Sequence, residues 1–271
     1  MKGNKNSKSI ISGACGCVRG NVREKNEDNF YFCGKHLDCG NEGMNEIIER
    51  SLENDAEKFP GEFAAVFDGI GGAQYGELAA YEAAVCTKDF LAHAEKNGSD
   101  EGTLMLRDLC DNINEKVFKT GEERGVNAMG TTMAALYFHG NNVWSCNVGD
   151  SRCYRLRDGV LELLSEDHVE ELYYADLKNG KRKPDLVQYM GMDPSEIRLE
   201  PAINCGYLKG GDTYLVCSDG LTDMVTESDI AGILRETDDA RDAADKLIEL
   251  ALMNGGKDNI TVIVCKCQAC K

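Results

Sequence analysis

The apolar positions of this chain switch between two periods. Residues 10–18 and 29–33 carry short strand-like runs, and Phe63-Ala64-Ala65-Val66-Phe67 is too brief for a helix. That last run meets Asp68-Gly69 at once, which reads as a buried strand ending in a tight turn. The period then becomes helical. Leu78, Ala79, Ala83, Val85, Cys86, Phe90 and Leu91 give residues 76–96 an apolar face, and Leu104, Leu106, Leu109, Ile113, Val117 and Phe118 do the same for 102–124. A meander follows over 131–139, 142–148, 153–157 and 160–164, with hairpin turns at Gly140-Asn141 and Asp158-Gly159. A strand at 212–217, helices at 227–236 and 239–253 and a last strand at 260–267 complete the series.

Two segments stand apart. Met44, Ile47, Ile48 and Leu52 recur at helical spacing, so 38–58 reads as a mostly helical insertion closed by Pro60-Gly61. Residues 165–203 are irregular, charged and carry Pro184, Pro194 and Pro201; they read as a flap beside a site or as a surface connection. Residues 1–9 read as a flexible tail. Without a repeat or a linker, 1–271 is expected to form one α+β domain of antiparallel sheets with segregated helices.

The composition is that of an ordinary globular chain, 42% hydrophobic and 28% charged. The net charge of −17 repels nucleic acid and anionic membranes, so neither is an expected partner. No apolar run approaches the roughly 20 residues that span a bilayer, and the basic opening is followed by no apolar signal region. The expectation is a cytoplasmic protein. Its 13 cysteines are odd in number and irregular in spacing, which suits small buried hydrophobes in a reducing compartment. Two clusters, Cys15-Gly16-Cys17 and Cys265-Lys266-Cys267-Gln268-Ala269-Cys270, would bring four cysteines together if the terminal strands pair, and a zinc or redox site there is the alternative.

Five acidic motifs end apolar runs: Arg23-Glu24-Lys25-Asn26-Glu27-Asp28, Asp68-Gly69-Ile70-Gly71-Gly72, Gly149-Asp150-Ser151-Arg152, Ser218-Asp219-Gly220 and Asp258-Asn259. Carboxylates gathered from distant strands repel unless a cation lies between them. All-oxygen ligation favours a hard divalent ion such as Mg²⁺ or Mn²⁺. With four histidines in the chain, a histidine-rich site is not the competing reading. Gly69 would let the backbone approach closely enough for its carbonyl to ligate, and Gly71-Gly72 would permit a sharp turn into the next helix.

These motifs, with Gly130-Thr131-Thr132, Asn147-Val148 and Ile260-Thr261, are similar in kind and order to those of the metal-dependent, type-2C serine/threonine phosphatases in their compact bacterial form. The resemblance covers about 10–265. It implies a four-layer α-β-β-α fold: two antiparallel sheets in a central sandwich with helices on both outer faces. It also implies hydrolysis of phosphoserine and phosphothreonine by attack of a water or hydroxide bridging two metal ions. By matching positions, Asp68 would bridge both ions, the Gly69 carbonyl would bind one, Asp219 and Asp258 would complete the first shell, and Glu27 would hold the second ion. Asp28 would orient metal-bound water, Asp150 would join Asp219 at a third, looser ion, and Arg23 would bind phosphate. The implied partners are phosphoproteins, a serine/threonine kinase and its targets, in signal transduction, with the phosphatase a monomer.

One position departs from the pattern. Some relatives carry histidine where this chain has Ile70, and Ile70 donates no proton. Either a metal-bound water serves as general acid or His168 reaches in, although a structural role for His168 is the plainer reading. Three other functions compete: an inactive phosphatase-like binding or signalling module, a hydrolase of small phosphoesters, and a cysteine phosphatase. The last needs a Cys-x₅-Arg loop, which Cys146 and Arg152 match by spacing, but Asp150 puts an acid where phosphate would lie.

Overall fold

A computed structural model describes residues 9–44, 46–54, 61–70, 75–93, 101–126, 128–170 and 184–268. Strands β1 (Ser9–Val18), β2 (Asp28–Phe32), β3 (Ile48–Asn54) and β4 (Glu62–Asp68) come first, followed by helices α1 (Gly76–His93) and α2 (Glu101–Arg124). Then come β5 (Met133–His139), β6 (Asn142–Val148), β7 (Arg152–Arg157), β8 (Val160–Leu163), β9 (Ala202–Tyr207) and β10 (Thr213–Cys217). A single turn, α3 (Asp219–Thr222), precedes α4 (Glu227–Glu236), α5 (Ala240–Met253) and the last strand β11 (Ile260–Cys267).

The strands form two antiparallel sheets, one of six strands in the order β3-β1-β11-β10-β7-β8 and one of five in the order β2-β4-β5-β6-β9. Both faces of each sheet are buried, which explains why the central strands lack polar alternation. On β4, Phe63, Ala65 and Phe67 pack toward α1 and α2, whereas Ala64 and Val66 point into the sandwich. On β11 the parity is the same: Ile263 and Cys265 face the other sheet, and Val262 and Val264 face α5. The inter-sheet core is dominated by Phe30, Phe32, Leu136, Phe138 and Tyr214, with Phe138 and Tyr214 meeting edge to face at 5.5 Å. The four expected layers are present.

The helical reading of 38–58 is corrected over its described residues; 45 and 55–58 lie outside them. Residues 48–54 form edge strand β3, paired antiparallel with β1 so that Leu52 lies opposite Ile11. The spacing of Ile48 and Leu52 misled because a separation of four is a multiple of the strand period as well as close to one helical turn. Sheet pairing decides between them: Leu52 and Asn54 are buried. Strand β9 was not foreseen; it takes up the end of the expected flap, 202–203, and continues to Tyr207. Residues 1–8, Gly71, Gly72 and part of the flap, 171–183, lie outside the described residues.

The terminal strands do pair, with Gly13 opposite Cys265 and Ile11 opposite Cys267. The cysteines so gathered are packing residues. Cys15, Cys17, Cys265 and Cys267 are buried, and burial pushes the Cys17 thiol up to about 12. Cys146 lies buried with its Sγ 3.6 Å from that of Cys110, while Arg152 donates to both oxygens of Asp167, so they build no phosphate loop. Among the described residues, no helix is long and apolar enough to cross a membrane.

Candidate metal centre

The acidic motifs converge where β2 and β4 meet. Asp28 begins β2, Asp68 ends β4, and the antiparallel register sets them directly opposite each other. Side chains so placed share one face of the sheet. Like charges there destabilise the pair unless something lies between them.

Asp28 is 2% exposed. Its Oδ2 accepts from Ser218 Oγ at 2.8 Å and from Thr261 Oγ1 at 2.6 Å, which joins it to the six-stranded sheet across the sandwich. Its Oδ1 is buried without a hydrogen-bond partner. Burial raises its pKa to about 6, against the pull of the two hydroxyl donors, and Asp68 lies within hydrogen-bonding reach. A buried carboxylate with one oxygen saturated, one orphaned and a second carboxylate beside it calls for a proton or a cation.

The backbone around this pair is tightly wound. Gly69 N donates to the Glu27 carbonyl at 3.1 Å, and a Cβ on Gly69 would stand 2.3 Å from Gly76 O and 2.6 Å from Glu27 O. Only glycine fits there. Glu27 is half-buried, and burial followed by Glu77 raises its pKa. Asn259 ties the Arg23–Asp28 loop in place: its side chain accepts from Glu27 N and donates to the Arg19 and Lys25 carbonyls, all at 2.8 Å. Next to it, Asp258 accepts a 2.6 Å bond from Arg23 Nη2, and that contact is the main cause of the raised Arg23 pKa.

Asp150 and Asp219 line the same cleft as Asp68, a hollow of ≈ 390 Å³. Ser218 ends the β10 strand through its bond to Thr261 O, and α3 begins at Asp219. Asp150 follows Gly149, whose φ of +102° makes the sharp turn after β6. That turn is clamped by His168: Gly149 N donates to His168 Nδ1 at 3.1 Å, and His168 N donates back to Gly149 O at 3.0 Å. His168 is therefore neutral at Nδ1, and burial lowers its pKa. Beside it, Arg152 grips Asp167, and Asn147 bonds both backbone groups of Glu166.

Among the described residues, no three such groups are drawn close enough to hold an ion as they stand. Asp68, Asp150 and Asp219 line one cleft, whereas Asp258 is bonded to Arg23 and Asp28 to Ser218 and Thr261. The donor set still fits hard divalent cations, because the orphaned Asp28 oxygen and its Asp68 neighbour are oxygen donors facing one another. Ser218 and Thr261 donate to Asp28, Thr132 Oγ1 accepts from Asp68 N, and Asn259 Oδ1 accepts from Glu27 N, roles that the motifs alone do not assign. Buried polar residues next to strand-end acids were the signal for these second-tier partners.

A protein phosphatase 2C profile matches residues 55–251. The chain belongs to the protein phosphatase 2C family. A serine/threonine phosphatase of Listeria monocytogenes is 34% identical over 211 residues, spanning 73% of this chain and 82% of that one. Among solved structures, the serine/threonine phosphatase of S. agalactiae superposes with a TM-score of 0.77 at 26% identity, covering 94% of this chain and 99% of that one. The catalytic domain of the phosphatase PstP, solved in complex with two manganese ions, superposes with a TM-score of 0.71 at 28% identity, covering 96% of this chain and 99% of that one.

Proposed function

We propose that this member of the family is an active protein-serine/threonine phosphatase that uses Mn²⁺ or Mg²⁺. The facing pair of Asp28 and Asp68 carries the reading, because a buried carboxylate and a half-buried one stand directly opposite each other on neighbouring strands. Asp68, Asp219, Asp258 and Glu27 would hold the ions, with the Gly69 carbonyl as a neutral oxygen, and Asp150 would serve with Asp219 as an outer ligand.

When bound, such ions neutralise the phosphate dianion and lower the pKa of water so that a hydroxide nucleophile exists near neutral pH. The chain's own residues then have separate tasks. Asp28, held at Oδ2 by Ser218 and Thr261, would orient water through its other oxygen. Arg23 exchanges Asp258 for the phosphate, since a planar guanidinium matches two phosphate oxygens better than it matches one carboxylate oxygen. Ile70 lines the cleft where it donates nothing, and His168 is engaged at Gly149. Water in the cleft is then the source of the leaving-group proton.

In the cell the proposed substrates are phosphoproteins, namely a serine/threonine kinase and its targets, and the proposed setting is cytoplasmic signal transduction by a monomer. The test is phosphate release from a phosphothreonine peptide with added Mn²⁺. Turnover should appear with Mn²⁺ and vanish with EDTA. Turnover that survives chelation contradicts the proposal.

A further inference from the structure

The cleft has two unlike walls. One is acidic, with Asp68, Asp150 and Asp219; the other is mostly apolar, with Ile70, Gly130, Leu186 and Tyr189, and carries Asp185 between Pro184 and Leu186. Gly130 is the floor of the apolar wall. A Cβ on it would stand 2.5 Å from Tyr189 Cδ2 and 2.8 Å from Ile70 Cδ1, so the ring and the isoleucine converge over the bare glycine.

Backbone bonds hold this wall rigid. Ile70 N donates to Gly130 O at 3.0 Å, Thr131 N to Met190 O at 3.1 Å, and Met190 N to Thr131 O at 2.8 Å. Thr132 N then donates to Asp68 O at 2.8 Å, so the apolar wall and the first carboxylate move as one unit. The same bonds remove these polar groups from use by a ligand. An aliphatic side chain resting on Ile70 and Leu186 gives up no hydrogen bond, whereas a polar one gives up water.

We propose that Ile70, Gly130 and Tyr189 form a shelf that receives an aliphatic side chain adjacent to the phosphorylated residue of the substrate. This specificity rests on the phosphatase reading. The shelf and the acidic wall line one cleft, and an extended peptide advances only about 3.3–3.6 Å per residue, so a flanking residue is the proposed occupant.

The experiment compares phosphothreonine peptides that differ at one flanking position, leucine against glutamine, placed before or after the phosphothreonine, in the presence of Mn²⁺. p-Nitrophenyl phosphate serves as a substrate without flanking residues. The leucine peptide should be preferred by about tenfold in kcat/KM at one of the two positions, a ratio typical of apolar pockets. Tyr189→Ser should collapse that ratio toward one, and Tyr189→Phe should retain it because the ring supplies the contact. Ile70→Gln gives a second, independent collapse should Tyr189→Ser fold poorly. Equal rates for leucine and glutamine at both positions, alongside good turnover of p-nitrophenyl phosphate, overturn the shelf alone. A ratio unmoved in both variants overturns it as well. A chain inert toward every substrate with Mn²⁺ overturns the phosphatase reading and the shelf together.

Discussion

Asp28 and Asp68 stand directly opposite each other across the β2–β4 ladder, one at the start of its strand and one at the end. Opposed like charges weaken a sheet by about 0.2–1 kcal/mol. Asp68→Asn should therefore stabilise the metal-free protein by that amount in urea unfolding with EDTA at pH 7.5. Unchanged or lower stability would show that the pair is already relieved without metal.

Thr261 Oγ1 and Ser218 Oγ both donate to Asp28 Oδ2 from the opposite sheet. Thr261→Val removes one donor from a buried carboxylate while keeping the side chain's shape. The expected loss is about 1.5–3 kcal/mol of stability, the range for hydrogen bonds to charged groups. Activity should fall about 10–100-fold, as for partners one step removed from a metal. Equilibrium unfolding and steady-state kinetics on one preparation check both.

Arg23 and Asp258 are 40% and 30% exposed at their side chains, so their 2.6 Å bond adds little to stability, at most about 1 kcal/mol. Its value lies in catalysis. Arg23→Ala should raise KM more than it lowers kcat, since phosphate binding is its main task. Arg23→Lys should restore only part of the loss, because an ammonium lacks the planar fork. A variant with normal KM would remove Arg23 from phosphate binding.

Burial lowers the His168 pKa below its usual 6.5, and protonation at Nδ1 would break the bond from Gly149 N. A folded-state pKa below the unfolded value means that the unfolded chain binds the proton more readily. The contribution of His168 to stability is thus complete above about 6.5 and is lost as pH falls through the folded value. His168→Gln should flatten the dependence of the urea midpoint between pH 7.5 and 5. A slope identical to wild type would assign that dependence to other groups.

Much of this was legible in the chain because long elements have one consistent period. The strand at Ile260–Cys267 and the helix at Glu227–Glu236 were read at their observed ends. The strand-end acids were legible for the same reason, since a turn after a short apolar run can be located without the fold. Two things were hidden. Ile48 and Leu52 suit either period, and only the pairing of Leu52 with Ile11 chooses between them. The partners of Asp28 lie 190 and 233 positions away, distances that local pattern does not span. Ile70 and Tyr189 meet over Gly130 in the same non-local way.

The most direct test of the account is the Mn²⁺ dependence of phosphate release from one phosphothreonine peptide by the wild-type protein and Asp68→Asn, measured side by side. The wild type should show saturable activation by Mn²⁺, and Asp68→Asn should be slower by at least about a hundredfold, beyond the loss seen for outer partners of a metal. Undiminished turnover in Asp68→Asn, or a wild-type rate indifferent to Mn²⁺ and to EDTA, would contradict it.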